Sequence, residues 1–232
     1  MLYCILGSLG SGKTSVIDAL VKDEVCKRLM METTNPAVLF GNDKSNYTLV
    51  TEEYARSTMF WGGAAEVRKC TIGKGSYFYY TTKKSMERIC SDDYIVKCTP
   101  AQFSSYYNAY RGYVFPIILT SSDKERLLRE ILICETTMTM KCLCEKFIED
   151  PYEVSSYIFI GVNHCHIIKN EDLDITINNI RNVITKNKNT RCDLYYTLDD
   201  TTFTHRELFD GKTFESLKNV IDLEVQILWV KF

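Results

Sequence analysis

The sequence has almost no net charge and no long apolar run. Its 232 residues include 28 basic and 30 acidic side chains, which give a formal net charge of −2. This balance supplies no basic surface of the kind that nucleic acid or an anionic membrane attracts, so we expect neither as a partner. No apolar run approaches the ~20 residues needed to span a bilayer. Hydrophobic residues make up 45% of the chain and there is no low-complexity segment, which excludes wholesale disorder.

We expect no secretory signal, because the sequence opens with a strand-like segment and a glycine-rich loop. We therefore expect a cytoplasmic protein whose thiols are reduced and mostly buried. Cys142 and Cys144, taken with residues 164–166, have the wrong spacing for a zinc finger, so we expect buried or hydrogen-bonded side chains there. The ten cysteines are scattered along the chain: Cys4, Cys26, Cys70, Cys90, Cys98, Cys134, Cys142, Cys144, Cys165 and Cys192.

Apolar strands alternate with amphipathic helices along most of the chain. Residues 2–6 form a short apolar run that predicts a buried strand, and residues 13–22 place apolar side chains at helical spacing. This alternation predicts an α/β fold with a mostly parallel sheet. Further strands are predicted at 94–98, 114–120, 157–162 and 166–168, and further helices at 100–111, after Ser122 and from Asn170.

Two regions depart from this alternation. Residues 36–82 are rich in loops and aromatic side chains, with strands predicted at 47–50 and 77–80, so we interpret them as an inserted lobe. Residues 188–232 are less regular and form a C-terminal extension. The extension could cap a sheet edge or mediate self-association, and the sequence leaves its role open, so we expect either a monomer or a homodimer.

The segment 7–14 reads GSLGSGKT and satisfies the Walker A pattern. It follows a predicted strand and opens a predicted helix, the context in which glycines bring backbone N–H groups together around phosphates. Lys13 is expected to neutralise the β- and γ-phosphates, and the hydroxyl of Thr14 to complete a Mg²⁺ shell. The residues predicted to bind ATP and Mg²⁺ are Gly7, Ser8, Gly10, Ser11, Gly12, Lys13, Thr14 and Ser15.

Other classes of P-loop protein need motifs that this sequence does not contain. A GTPase would carry an Asn-Lys-x-Asp run and an Asp-x-x-Gly switch, and neither is present. Motor-like ATPases end a strand in aspartate to anchor the metal, whereas the apolar strands here run into residues 98–99, 120–121 and 162–163, none of which is acidic. Small kinases hold Mg²⁺ through the loop hydroxyl and the phosphates, so the pattern favours a small-molecule kinase.

Five further segments follow in a fixed order: 33–36 (TTNP), 47–51 (YTLVT), 79–82 (YYTT), the predicted helix from Ser122 to Arg129, and 170–174 (NEDLD). Through them, and over about residues 1–185, the chain resembles the guanylate kinase family of nucleoside monophosphate kinases. The resemblance implies a three-layer P-loop NTPase fold over residues 1–187, with an acceptor-binding lobe at 36–82 and a helical lid at 133–145. It also implies ATP-dependent phosphorylation of a nucleoside or deoxynucleoside monophosphate.

The resemblance further implies roles for individual residues around the transferred group. Arg129 matches an arginine that meets the transferring phosphoryl group, Arg126 is a nearby substitute, and Lys141 falls near a later lid arginine. The implied catalytic set is therefore Lys13, Arg126, Arg129 and Lys141.

On the acceptor side, Tyr47 and Tyr80 match tyrosines that hold the acceptor phosphate in the family. Thr82 falls where a small hydroxyl helps to bind the acceptor base, and Glu66 is the nearest counterpart of the guanine-reading glutamate. The implied acceptor-binding set is Thr34, Tyr47, Glu66, Tyr80 and Thr82.

Two acceptor positions depart from the family. Asn35 and Val38 stand where the family has the arginines that clamp the acceptor phosphate. A clamp without them binds a dianion only if another cation takes over, and the candidates are Arg56, Arg68 and Lys69. Two other function classes therefore stay open: a guanylate kinase-like binding module without turnover, and a P-loop kinase of another small molecule.

Overall fold

A computed structural model describes residues 1–40, 44–72, 75–133 and 165–190 of the chain. The chain divides into two units, Met1–Lys188 and Asn189–Phe232, and nearly all described residues belong to the first. Several sequence-based expectations lie outside the described residues and stay predictions: the strand at 157–162, the lid with Lys141, the pair Cys142 and Cys144, and the extension after residue 190.

The described part contains nine strands and six α-helices, joined in places by short 3₁₀ turns. The strands are β1 (Leu2–Leu6), β2 (Lys27–Arg28), β3 (Met31–Thr33), β4 (Tyr47–Leu49), β5 (Ala64–Ile72), β6 (Gly75–Thr82), β7 (Tyr94–Lys97), β8 (Val114–Thr120) and β9 (His166–Lys169). The helices are α1 (Lys13–Lys22), α2 (Glu52–Phe60), α3 (Lys83–Glu87), α4 (Pro100–Tyr110), α5 (Asp123–Ile133) and α6 (Leu173–Thr190). Among these helices none is both long enough and apolar enough to cross a bilayer.

A central sheet of five parallel strands has the order β2-β7-β1-β8-β9. The predicted strands at its centre, including the one that contains Pro116, are confirmed. Pro116 pairs with β1, whereas pairing with β9 begins one residue later at Ile117. The sheet is therefore parallel throughout its described strands, as the alternation of elements predicted.

Side chains of β1 alternate between two cores, because successive residues of a strand point to opposite faces. Tyr3 and Ile5 pack against α1 and α6 on one face. Leu2, Cys4 and Leu6 pack against α4 on the other. Helices therefore cover both faces of the sheet, which confirms the predicted three-layer α/β architecture.

Polar side chains fix where two of the helices begin. Thr99 and Gln102 form a reciprocal capping box in front of α4, and Pro100 occupies its first turn. Ser122 Oγ accepts a hydrogen bond from the backbone N–H of Glu125 at 3.3 Å, so Ser122 caps α5 as predicted.

The helix predicted from Asn170 begins later than expected, and Asn170 is not its first residue. Asp172 Oδ1 accepts from the backbone N–H of Ile175 at 2.9 Å, so Asp172 is the N-cap of α6, which starts at Leu173. Asn170 lies two residues before this cap, and its side chain is used elsewhere.

A second sheet of four strands, in the order β4-β3-β6-β5, forms the lobe. Strand β3 runs parallel to β4 and antiparallel to β6, and β5 runs antiparallel to β6. The strands predicted at 47–50 and 77–80 correspond to β4 and β6. The sequence analysis did not predict α2. It did not predict β5 either, because charged side chains occur on both faces of this strand and obscure the alternation of polar and apolar residues.

Candidate nucleotide-binding site

The loop between β1 and α1 has a backbone that only glycine adopts easily. Gly10 and Gly12 have φ angles of 76° and 86°. A Cβ atom on Gly10 would lie 2.5 Å from the carbonyl oxygen of Arg126, and one on Gly12 would collide with the side-chain amide of Asn170. The Walker A glycines are therefore required by geometry as well as by pattern, and the cradle that they form suits phosphate oxygens held by backbone amides.

Lys13 is the first residue of α1, and its side chain folds back over the loop. Its Nζ donates to the carbonyl oxygens of Gly7 and Ser8, the second at 2.6 Å, and lies 3.4 Å from Ser11 Oγ. Thr14 follows in the first turn of the helix, where backbone N–H groups have no partner within the helix itself. A cation, a hydroxyl and a helix N-terminus thus meet at one point, which fits a triphosphate with its Mg²⁺.

Both arginines predicted on α5 lie against this loop. Arg126 is only 7% exposed and donates from Nε to the carbonyl oxygen of Leu9 at 2.8 Å, while its Nη1 pairs with Asp123 at 2.8 Å. Arg129 donates from Nη1 to the carbonyl oxygen of Gly10 at 3.3 Å. The structure therefore brings together the loop and the two α5 arginines of the implied catalytic set.

Asn170 completes this arrangement, and sequence reasoning missed its role. Its side-chain Nδ2 donates to the backbone carbonyl oxygen of Ser11 at 2.8 Å, and its backbone carbonyl oxygen accepts from Arg129 Nη2 at 2.8 Å. It is 3% exposed and directly follows β9. Its position at the carboxyl end of a parallel strand, where such sheets build ligand sites, was the available clue.

In the lobe, the tyrosine that packs against Tyr47 is Tyr79, whereas the sequence had indicated Tyr80 as its companion. Tyr79 packs edge-on against Tyr47 with ring centroids 5.4 Å apart, and its hydroxyl oxygen accepts from Asn35 Nδ2 at 2.6 Å. Tyr80 is the next residue of β6, so its side chain points to the opposite face, beside Glu32, where burial raises the pKa of its phenol. The structure therefore groups Tyr47 with Tyr79 and separates it from Tyr80.

Glu66 lies on the same face as Tyr79 and is buried between the lobe sheet and α4. Its carboxylate oxygens lie 3.3 Å from Arg68 Nε and 3.5 Å from Gln102 Nε2. Burial raises the pKa of this carboxyl group, and Arg68 partly opposes the shift. Thr81, two residues beyond Tyr79, pairs with a hydroxyl of α4 at 2.6 Å. We call this set the lobe cluster: Asn35, Tyr47, Glu66, Arg68, Tyr79, Thr81, Gln102 and Tyr106.

The hydroxyl oxygens of Thr34 and Thr82 accept hydrogen bonds from backbone N–H groups. Thr34 Oγ1 accepts from the backbone N–H of Phe78 at 2.9 Å. Thr82 Oγ1 accepts from the backbone N–H of Ser85 at 3.1 Å and caps α3. Because Thr81 faces the lobe cluster, Thr82 points to the other face of β6, and the structure does not bring it to Glu66.

Comparisons with known proteins bear on the fold. No protein-family model matches the sequence, and no curated protein matches it either. The guanylate kinase from Anaplasma phagocytophilum is similar with a TM-score of 0.58 at 17% identity, over 81% of this chain and 85% of that one. This chain has the fold of a P-loop kinase. A gluconokinase from Sinorhizobium meliloti 1021 is also similar, with a TM-score of 0.44 at 13% identity, over 84% of this chain and 96% of that one.

Among the described residues, no three His, Cys, Asp or Glu side chains come together in a way that could hold a metal ion. Cys142, Cys144 and His164 lie outside the described residues, so the expectation for them stays a prediction. At the phosphate loop, the hydroxyl of Thr14 is a side-chain oxygen that could ligate Mg²⁺ together with phosphate oxygens of a bound nucleotide.

Proposed function

We propose that the protein transfers the γ-phosphoryl group of ATP to a nucleoside or deoxynucleoside monophosphate, giving ADP and a diphosphate. The observation that carries the proposal is the convergence of Lys13, Arg126 and Arg129 on one glycine loop. The overall likeness to a guanylate kinase supports it, because the likeness extends over 81% of this chain.

The reaction moves one phosphoryl group and needs little covalent help from the protein. An oxygen of the acceptor phosphate attacks the γ-phosphorus, a new P–O bond forms, and the bond between the γ-phosphorus and its bridging oxygen breaks to release ADP. Bound Mg²⁺ would neutralise the β- and γ-phosphates, with the hydroxyl of Thr14 as its protein ligand. Lys13 would balance the remaining charge by exchanging its loop carbonyl partners for phosphate oxygens.

Arg126 and Arg129 can act in two ways in this scheme. Their bonds to Leu9 and Gly10 hold the loop in its cradle shape. A guanidinium has five N–H donors, so the same side chains can also bind oxygens of the transferring group. Such fixed donors, aimed at developing charge in a site that excludes water, supply most of the rate of phosphoryl transfer.

One observation favours a second candidate, a guanylate kinase-like binding module without turnover. Asn35 carries no charge where the family has an arginine, and its side chain is already used by Tyr79. A module of this kind could bind a monophosphate or a protein partner in the lobe without transferring phosphate. A third possibility is a P-loop kinase of another small molecule. In that case a compound other than a nucleoside monophosphate would stimulate ADP release.

The test is a coupled ADP-release assay with Mg²⁺ and ATP across the nucleoside and deoxynucleoside monophosphates. We expect one monophosphate to stimulate ADP release, and Lys13→Ala to lower kcat by about 100-fold or more, the scale reported for losing one fixed charge-stabilising donor. Lys22→Ala, in the last turn of the same helix and exposed to solvent, is the matched control and should leave kcat unchanged. If no monophosphate stimulates ADP release, the proposal is wrong.

A further inference from the structure

Three cations of the lobe could replace the acceptor arginines, and the structure separates them by face. The guanidinium of Arg68 lies over the ring of Tyr79 at 5.7 Å, and that of Arg56 over the ring of Phe78 at 5.3 Å. Tyr79 and Phe78 are neighbours on β6, so their side chains point to opposite faces of the sheet. Lys69 follows Arg68 on β5 and therefore points away from the lobe cluster. Of the three, Arg68 alone shares a face with Tyr47 and Glu66.

Arg68 is held in place but few of its donors are used. The ring of Tyr79 lies under its guanidinium, and Glu66 Oε1 is 3.3 Å from its Nε. This Nε is buried and has no hydrogen-bond partner among the described residues. The side chain is 25% exposed, so part of it reaches solvent. A guanidinium is a planar fork with five N–H donors, and a pre-oriented fork of this kind matches phosphate oxygens.

The neighbours of Arg68 point to an anionic ligand as well. The hydroxyl oxygen of Tyr79 accepts from Asn35, so its own O–H can donate to another group. Asn35 is 5% exposed and also accepts from the backbone N–H of Ala37 at 3.0 Å, so it orients Tyr79 rather than carrying charge. A phenol donor and a guanidinium fork thus lie on the face that carries Tyr47, with the fork over the ring of the phenol.

We propose that Arg68 binds the phosphate group of the acceptor nucleotide, in place of the arginines missing at positions 35 and 38. This inference rests on the proposed function, because it names a residue of the same acceptor site. Arg68 reaches the phosphate from β5 instead of from the turn after β3. Glu66 keeps the Nε edge of the guanidinium, and the Nη edge takes the phosphate.

The experiment measures binding of a nucleoside monophosphate and of the matching nucleoside by calorimetry, on the full chain. Arg68→Gln is expected to weaken monophosphate binding at least tenfold and to change nucleoside binding by less than twofold. Arg68→Lys, which keeps the charge but not the fork, should lose part of this affinity. Arg56→Gln is the matched control, because it removes an arginine stacked on the neighbouring residue of the same strand. It should bind both ligands as the wild type does.

The outcomes separate this inference from the proposed function. If the wild type turns over a monophosphate and Arg68→Gln shows unchanged KM and affinity, the inference fails and the function stands. Equal loss of nucleoside and monophosphate binding by Arg68→Gln would mean a structural role and would also overturn it. If monophosphate binding depends on Arg68 but no ADP is released, the inference stands and the proposed turnover fails. If the wild type binds no monophosphate, both fail.

Discussion

The phosphate loop and the lobe cluster are both polar sites, but they are built from different parts of the chain. In the loop the contacts run to backbone groups: the carbonyl oxygens of Leu9, Gly10 and Ser11 accept from three side chains that come from elsewhere. In the lobe cluster most contacts join side chain to side chain, such as Asn35 to Tyr79. A site made of backbone can be identified from a short local pattern. A site made of side chains depends on strand register, which a local pattern does not determine.

The largest test of this difference is a glycine substitution in the loop. Gly10→Ala forces a Cβ into a positive-φ position 2.5 Å from the carbonyl oxygen of Arg126. The left-handed backbone and the collision together should lower the free energy of unfolding by about 3 kcal/mol and weaken ATP binding. Gly62 also has positive φ, at 68°, but a Cβ there would meet nothing within 4 Å. Gly62→Ala should therefore cost about 1 kcal/mol. If urea unfolding shows the same loss of unfolding free energy in both variants, close packing of Arg126 against the loop does not contribute to stability.

A second test concerns Asn170, whose side chain bonds to the loop and whose backbone carbonyl oxygen bonds to Arg129 of α5. Asn170→Ala removes the donor to the buried Ser11 carbonyl oxygen and should lower the free energy of unfolding by about 2 kcal/mol. It should also weaken ATP binding, because the loop loses one of its anchors. Asn178→Ala, whose side chain accepts from Arg181 in an exposed position, is the control and should cost less than about 0.5 kcal/mol. If ATP affinity does not change in Asn170→Ala, this residue does not position the loop.

The sequence predicted the loop, α1 and four of the five described strands of the central sheet, all but β2, because each of these elements depends on residues close together in the chain. Apolar spacing, Pro100 in the first turn of α4 and the cap Ser122 are local signals, and they placed α4 and α5 correctly. The role of Asn170 could not be predicted in this way, because its partner Ser11 is far away in sequence. The same holds for Glu66, which is buried although its strand reads as polar.

The adjacent residues Tyr79 and Tyr80 of β6 test the lobe half of the comparison. Tyr79→Phe deprives the buried Asn35 amide of its acceptor and should cost about 1 kcal/mol of unfolding free energy. The Tyr80 hydroxyl is buried beside Glu32 without a well-aligned hydrogen bond among the described residues, so Tyr80→Phe should cost less than Tyr79→Phe. Monophosphate binding should weaken in Tyr79→Phe and not in Tyr80→Phe. The reverse result would favour Tyr80 as the tyrosine that holds the acceptor phosphate, as the sequence indicated.

The smallest expected effect is a pH dependence that arises from Glu66. Burial raises the pKa of its carboxyl group above the usual value near 4.5, and Arg68 limits the shift. A carboxyl group whose pKa is raised by folding favours the folded state while it is protonated. This contribution is complete below the unfolded pKa and is lost as the pH rises through the folded pKa. Wild-type stability should therefore fall relative to Glu66→Gln as the pH rises from about 4.

Glu53→Gln, at an exposed carboxylate in the first turn of α2, is the control for substituting a surface charge. If urea unfolding across this range gives a constant difference between wild type and Glu66→Gln, the burial of Glu66 does not control its ionisation. The ion pair with Arg68 would then dominate the electrostatics of the lobe cluster.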